Sequence, residues 1–209
     1  MSSGLNHDEV LYIQRTCAAC GLYQGPIDGL WSLAVDRAEA HFSGEAAKLK
    51  ATLGTFDKRS EDNIATLTIA AQRMARDFMS LALEFRHNVK IISGTRTYAE
   101  QDKLYAIGRT IEKDRSPVTK AKGGQSNHNF GIAWDVGIFE TDGSYMRGAN
   151  ERENDAYRDL ATLAKKRLEG LEWGGDWSGF KDPPHYQVKT GRSVEEVRVA
   201  FEKGKPLFA

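Results

Sequence analysis

Two short stretches hold the side chains that could do chemistry together. The first contains His128 and Asp135, and the second, further along the chain, contains Asp182 and His185. Two imidazoles and two carboxylates can supply three nitrogen or oxygen ligands and leave one position open, as a catalytic zinc site requires. A remaining acid that does not bind the metal can accept the proton of a zinc-activated water. The pattern therefore predicts a zinc peptidase.

The local sequence indicates how the first two side chains could meet. His128 and Asp135 lie too far apart to project from one short strand with both tips at a common ion. They can converge if a turn around Gly131 separates them, or if they flank a bent strand. The segment 130–138 has the alternating, β-branched character of a strand, and small residues within it leave room beside a metal.

The second pair is held differently, because two prolines separate Asp182 from His185. Each proline fixes φ and disfavours helix in the residue before it, so the segment should stay extended. The alternative is that both histidines are satisfied core residues and both aspartates lie at the surface. The other histidines, His7, His41 and His87, sit in ordinary helical or turn contexts, which argues against this alternative.

The two stretches also share a spaced set of residues: Ser126, His128, Gly131, Ala133, Asp135, Asp182 and His185. From about Ile64 onwards the chain resembles the zinc peptidase family of D-Ala-D-Ala carboxypeptidases and dipeptidases and L-alanyl-D-glutamate endolysins. The resemblance implies three zinc ligands, which are His128, Asp135 and His185. It also implies that Asp182 is the general base and that Arg96 steadies the scissile carbonyl.

Further site residues are expected around this set. Arg96 follows a predicted buried strand, residues 89–93, at a place where a loop can carry function. Ser126, Trp173 and Trp177 are predicted to bind substrate, although for the two tryptophans a place in the core is an equal alternative. The glycine-bearing loop 108–124 leads into the first stretch and should wall the cleft.

The resemblance implies an α+β fold, a hedgehog-like zinc peptidase domain with a small antiparallel sheet and flanking helices, over residues 61–209. The apolar spacing predicts one long amphipathic helix over 62–87. Further helices are expected over 98–107 and 154–168, and a capping box at Ser193 should open the last helix.

Residues 1–55 are similar to the three-helix peptidoglycan-binding module of many wall hydrolases. The similarity rests on Ile13-Gln14, the segment 25–31 and Ala38 with Phe42. The residues themselves predict a first helix capped by Asp8, a loop over 25–29, a second helix and a short third helix over 45–53. Ser32 stands where the module has a glycine. The alternative is a helical bundle that merely supports the enzyme.

Composition excludes several classes of protein. The 29 basic and 29 acidic side chains cancel, so the chain lacks the basic footprint of a nucleic-acid binder. No stretch approaches the ~20 apolar residues of a membrane helix. Met1–His7 has neither a basic start nor an apolar region, so we expect no secretory signal. Cys17 and Cys20 are interpreted as small buried residues on a helix.

The function expected is hydrolysis of the L-Ala–D-Glu bond of the peptidoglycan stem peptide. The resemblance favours this bond because the endolysins have Asp where the dipeptidases have Glu, at the position of Asp182. We expect a monomer, made in the cytoplasm, that acts in the periplasm or cell wall after a membrane-permeabilising or secretion partner delivers it, as for a phage lysin. The alternatives are a D-Ala-D-Ala carboxypeptidase and a non-catalytic wall- or sugar-binding protein with a structural zinc.

Overall fold

In the computed structural model, which describes residues 4–85 and 87–208, helices surround a small antiparallel sheet. The helices are α1 (His7–Ala19), α2 (Leu33–Leu53), α3 (Lys58–Ile64), α4 (Ile69–Ala82), α5 (Tyr98–Ala106), α6 (Glu151–Arg167) and α7 (Val194–Glu202). The strands are β1 (Asn88–Ser93), β2 (Ala133–Phe139), β3 (Tyr145–Met146), β4 (Leu171–Trp173) and β5 (His185–Val188). The predicted α+β class is confirmed. Within the described ranges, none of these helices is both long enough and apolar enough to cross a bilayer.

Strand β2 organises the sheet, whose order is β1-β2-β5-β4, with β3 paired to β2. Each of these pairings is antiparallel. The register sets Asp135 of β2 opposite His185 of β5 and, on the other side, opposite Ser93 of β1. Residues directly opposite on adjacent strands have neighbouring side chains. The ladder alone therefore brings an acid and an imidazole of the two stretches together.

The other face of the same strands is the core. Trp134 and Tyr186 are completely buried, and their rings stack with centroids 6.4 Å apart. Phe78 of α4 packs 4.6 Å from the Tyr186 ring and 6.2 Å from the Trp134 ring. Because successive side chains of a strand alternate, Trp134 and Tyr186 point away from Asp135 and His185.

The predicted long helix over 62–87 is wrong. The chain instead forms α3 and α4, separated by a turn that ends at Thr68, and α4 itself stops at Ala82. Thr68 donates twice to the carbonyl oxygen of Gly131, from its backbone N–H at 2.8 Å and its hydroxyl at 3.1 Å. This contact joins the turn to the metal-binding stretch. It cannot be predicted from the spacing of apolar residues in 62–87.

The predicted third helix over 45–53 is wrong as a separate element, because α2 is continuous from Leu33 to Leu53. Only α1 and α2 thus precede residue 55 in the described part of the chain. Asn6, rather than Asp8, caps α1 by accepting from the backbone N–H groups of Asp8 and Glu9. The predicted last helix is confirmed with its capping box at Ser193.

The first two helices pack directly against the rest of the molecule. The ring of Tyr12 on α1 lies 5.9 Å from that of Phe201 on α7, and the Leu207 N–H donates to the Ala19 carbonyl oxygen at 3.1 Å. Helix α2 contacts α4. The division into domains at residues 55–61 stays a prediction.

A buried ion pair fixes the junction between α2, α3 and α4. Arg76 binds both carboxylate oxygens of Glu61, at 2.9 and 3.0 Å, and also donates to the carbonyl oxygen of Gly54. The Phe56 N–H donates to the same carboxylate. Burial raises the pKa of Glu61, but the hydrogen bonds from Arg76, Phe56 and Lys50 outweigh it and lower the pKa to about 2.

Candidate metal centre

Three side chains converge on one point beside the sheet. His128 Nε2 lies 3.1 Å from Asp135 Oδ1 and 3.2 Å from His185 Nδ1, and the latter two atoms are 3.5 Å apart. Two imidazole nitrogens and one carboxylate oxygen are a donor set that zinc prefers. Among the residues that the structure describes, this is the one cluster of potential ligands close enough to hold a metal ion.

The turn predicted at Gly131 is confirmed, and it places His128. Residues Asn127–Phe130 form a short 3-10 helix that ends at Gly131, whose φ is +68°. Glycine adopts this left-handed conformation without steric cost. The turn lets the chain reverse before β2 begins, so His128 folds back over Asp135. The Arg96 N–H donates to the His128 carbonyl oxygen at 3.1 Å and holds the turn in place.

Each imidazole has its second nitrogen occupied, which leaves the first free for a metal. His128 Nδ1 lies 2.7 Å from the carbonyl oxygen of Gly94, and His185 Nε2 lies 2.9 Å from Oε1 of Gln187. The Gly94 and Gln187 oxygens accept hydrogen bonds, so His128 Nδ1 and His185 Nε2 carry protons, and His128 Nε2 and His185 Nδ1 are the nitrogens whose lone pairs a metal would take. Those are the two nitrogens that face Asp135. The residues therefore fit a zinc ion.

The charge states of His128 and Asp135 also suit a metal. Burial lowers the pKa of His128 and so favours the neutral imidazole that a metal requires. At His185, burial acts in the same direction, but hydrogen bonds to Asp135 and Gln187 raise the pKa. For Asp135, burial raises the pKa, yet His128, His185 and Arg96 outweigh it and hold the pKa well below its usual value. The carboxylate is therefore ionised.

Arg96 makes a contact that the sequence did not predict. Its guanidinium donates to Oδ2 of Asp135, the oxygen that does not face the histidines. The same group is held by the Ser93 hydroxyl, at 2.9 Å and 3.1 Å, and by Oε1 of Gln101 at 3.3 Å. Arg96 thereby orients the carboxylate so that Oδ1 points to the metal position. It also lines the cleft, where its predicted role at a carbonyl stays a prediction.

Asp182 lies outside the cluster of ligand atoms but lines the same cleft. Its N–H donates to the Gly174 carbonyl oxygen, and its own carbonyl oxygen accepts from the His185 N–H, both at 3.1 Å. The Pro184 carbonyl oxygen accepts from the Val136 N–H at 2.9 Å, which ties the proline segment to β2. Burial, and secondly the charge of Asp135, raise the pKa of Asp182. A carboxylate of raised pKa is a better proton acceptor.

The open side of the centre faces a cleft of about 450 Å³. Ser126 lines it, as does the end of the loop 108–124 through residues 119–121. Trp177 is 36% exposed, with its ring 4.8 Å from that of His185. Trp173 is placed differently: it is only 8% exposed, belongs to the core, and donates from Nε1 to the Pro183 carbonyl oxygen at 2.7 Å. Its predicted contact with substrate has no counterpart in this position.

Sequence reasoning missed the residues that orient the ligands, which are Gly94, Gln101 and Gln187. Gly94 acts through its main-chain carbonyl group, and residue type does not predict such a contact. Gln101 acts indirectly, because it holds Arg96, which in turn contacts Asp135. Gln187 did carry a signal, because residues two apart on a strand share a face, and it follows His185 by two positions.

Comparison with known proteins supports the assignment of His128, Asp135 and His185 as a metal site. Residues 119–188, which contain His128, Asp135, Asp182 and His185, match the family model described as D-alanyl-D-alanine carboxypeptidase. The chain is similar to the peptidoglycan L-alanyl-D-glutamate endopeptidase CwlK of Bacillus subtilis (strain 168), with 40% identity over 105 residues. That alignment covers 48% of this chain and 60% of CwlK, which is less than two thirds of the relative's length.

Two solved structures are similar to part of this chain. The L-Ala D-Glu endopeptidase ChiX of Serratia marcescens superposes with a TM-score of 0.47 and 24% identity, covering 65% of this chain and 90% of that chain. The vancomycin resistance D,D-pentapeptidase VanY, solved in complex with Zn(II), gives a TM-score of 0.43 and 18% identity, covering 68% of this chain and 81% of that chain.

Proposed function

On the premise that residues 119–188 belong to the D-alanyl-D-alanine carboxypeptidase family of peptidases, we propose that this protein is a zinc-dependent peptidoglycan endopeptidase. The bond cut is that between L-Ala and D-Glu of the stem peptide. One observation carries the proposal: His128, Asp135 and His185 converge with their free ligand atoms facing one another, beside a cleft that Asp182 also lines.

The three ligands would hold the zinc through His128 Nε2, Asp135 Oδ1 and His185 Nδ1. When bound, zinc lowers the pKa of a coordinated water to about 7 and polarises a carbonyl group. The wall of the cleft leaves the metal position open on the side of Asp182 and Ser126. Three protein ligands and an accessible fourth position distinguish a catalytic site from a closed structural one.

Asp182 moves the proton. Its carboxylate accepts a proton from the attacking water, whose oxygen bonds to the scissile carbonyl carbon. When the bond from that carbon to nitrogen breaks, Asp182 returns the proton to the leaving amine. One water is consumed, and the products are a carboxylic acid and an amine. Arg96 donates to the carbonyl oxygen, on which negative charge develops.

The remaining predicted residues bind the peptide. Ser126 lines the cleft, where its hydroxyl would hydrogen-bond the substrate backbone, and Trp177 offers an exposed ring beside His185. Trp173 contributes indirectly, because its indole N–H fixes the Pro183 carbonyl group next to Asp182.

The choice of bond is supported by the name of the relative CwlK and by the presence of Asp at position 182. The second candidate is a D-Ala-D-Ala carboxypeptidase, which the description of the matched family favours. In both substrates the leaving residue is a D-amino acid, so the chemistry at the centre would be the same. The third is a non-catalytic wall-binding protein with structural zinc.

Digestion of purified peptidoglycan, followed by mass spectrometry, separates the candidates. The endopeptidase produces new N-terminal D-Glu. Released D-Ala with an intact L-Ala–D-Glu bond would establish the carboxypeptidase instead. Stoichiometric zinc without any cleavage would leave the non-catalytic reading.

The proposal extends to residues 1–55, to which we assign wall binding in an endolysin-like monomer. Such an enzyme, made in the cytoplasm, would reach the wall with the help of a membrane-permeabilising or secretion partner. The loop before α2 is well ordered by Gln14, whose side chain donates to Asp28 and accepts from the Asp28 and Gly29 N–H groups. The full chain carrying Asp182→Asn should sediment with purified sacculi. Addition of Asp28→Ala should release it, and unchanged sedimentation would leave these helices a supporting role only.

A further inference from the structure

Gln187 occupies a buried position between three polar groups. It lies on β5 two residues after His185, so the two side chains share a face of the strand. Its Oε1 is 2.9 Å from His185 Nε2 and 2.9 Å from Nδ2 of Asn127, which donates to it. Its Nε2 donates to Oε2 of Glu172 at 2.6 Å.

The contact with Glu172 decides which way the amide of Gln187 points. Glu172 lies directly opposite Gln187 in the pairing of β4 with β5. An ionised carboxylate can only accept hydrogen bonds, so the NH₂ end of the amide must face it. The oxygen end is then turned to His185. Since that oxygen has no hydrogen, Nε2 of His185 must carry the proton, and the lone pair falls on Nδ1.

The two histidine ligands are therefore fixed by different means. His128 donates to the main-chain carbonyl group of Gly94, which cannot exchange donor for acceptor. His185 depends on a side-chain amide that could rotate by half a turn, and rotation would present NH₂ to Nε2. The carboxylate of Glu172 prevents this rotation.

We propose that Gln187, oriented by Glu172, is a positioning residue that selects the Nε2-protonated tautomer of His185 and so makes Nδ1 its metal-binding atom. The inference rests on the proposed zinc site and adds two residues to it. Groups that orient a metal-binding histidine typically contribute about 10–100-fold to metal affinity.

The test compares zinc affinity and tautomer in a small set of variants. Gln187→Met keeps the volume and removes the acceptor, so zinc affinity should fall about 10–100-fold in competition with a chelator. In the metal-free variant, ¹⁵N NMR of His185 at a pH where the imidazole is neutral should show a mixture of tautomers where the parent shows Nε2–H alone. Glu172→Gln should weaken zinc binding less, because the amide of Gln187 then has both orientations available.

The exchange of the two residues provides the rescue. In the double variant Glu172→Gln/Gln187→Glu, a carboxylate faces His185 Nε2 and an amide donor lies beside it. Zinc affinity and the Nε2–H signal should both return to near those of the parent. The matched control is Gln72→Met, because Gln72 on α4 is also buried, 1% exposed, but donates to the Leu67 carbonyl oxygen ahead of that helix. It should change thermal stability and leave zinc affinity as in the parent.

The outcomes separate this inference from the function on which it rests. Parental zinc affinity and an unchanged tautomer in Gln187→Met would overturn the inference alone, as would a double variant that recovers neither property. A parent that takes up no zinc but shows the Nε2–H tautomer, lost in Gln187→Met, would sustain the selection of the tautomer and overturn the proposed enzyme.

Discussion

On one face of strands β2 and β5, Trp134 and Tyr186 are completely buried against Phe78, whereas on the other face Asp135 and His185 meet His128. The two faces come from alternate residues of the same short segments. The apolar face gains stability from burial, and the polar face places ionisable groups out of water for the sake of the site. Changes on the two faces should therefore have separable effects, on folding in one case and on metal and activity in the other.

The largest effect is expected at Asp182. Asp182→Asn is nearly isosteric and removes the proton acceptor, so the rate of peptidoglycan cleavage should fall by about 10²–10⁴. Zinc content should stay at the parental level because Asp182 is outside the ligand cluster. Elemental analysis of the purified variant, together with the cleavage rate, checks both statements.

Asp135→Asn is the comparison for that variant, since an amide oxygen is a much poorer zinc ligand than a carboxylate. It should lose zinc and activity together. Loss of zinc in Asp182→Asn with retention in Asp135→Asn would show that the ligand and the base are exchanged. Full activity in Asp182→Asn would refute the proton transfer proposed for it.

The apolar face should respond in stability. Phe78→Ala removes a completely buried ring that packs against both Trp134 and Tyr186, and truncations of this kind cost about 3–5 kcal/mol in the free energy of unfolding. Denaturant unfolding measures the loss. At temperatures where the variant is folded, its zinc affinity should equal that of the parent, and a weakened affinity there would break the proposed separation of the faces.

Acid should also act outside the two faces, at the junction that Glu61 and Arg76 fix. Since the folded state lowers the pKa of Glu61 from 4.5 to about 2, its ion pair stabilises the fold fully above the unfolded value. This contribution, about 3 kcal/mol, is lost as the pH falls from 4.5 through 2. Unfolding measured across that range should show a steeper decline for the parent than for Glu61→Gln. Parallel curves would place the acid sensitivity elsewhere.

The smallest effect is expected where the apolar face carries a polar atom. The Tyr186 hydroxyl is buried without a hydrogen-bond partner among the described residues. Tyr186→Phe should therefore stabilise the protein by about 1 kcal/mol. Tyr157→Phe is the matched control, because that hydroxyl donates to the Met146 carbonyl oxygen at 2.9 Å and its removal should destabilise. A melting temperature below that of the parent in both variants would mean that the Tyr186 hydroxyl has a hydrogen-bond partner.

The sequence predicted the ligand-bearing residues well because their chemistry is local. Three ligand types, a glycine at the turn and two prolines between Asp182 and His185 all lie within the two stretches. Their geometry follows once β2 pairs with β5. Strand alternation also explains why Trp134 and Tyr186, each next to a ligand in sequence, are buried on the face away from the metal position.

The features that the sequence did not predict depend on contacts between distant segments. The break between α3 and α4 is stabilised by Thr68 on Gly131, and the contact of Arg96 with Asp135 joins the loop after β1 to β2. Continuity of α2 was missed because Gly44 is a weak helix former, yet tertiary packing overrides a penalty of about 1 kcal/mol.

Helix α7 has a consequence for protein engineering. Ser193 and Val194, at its beginning, line the cleft, while Phe201, near its end, packs against Tyr12 of α1. Helix α7 thus contacts both α1 and the substrate cleft. A chimaera that exchanges residues 1–55 for a foreign targeting segment would remove the contact between Tyr12 and Phe201 of α7. Transplants that retain α1 and join the new segment ahead of Asn6 should keep the cleft wall intact.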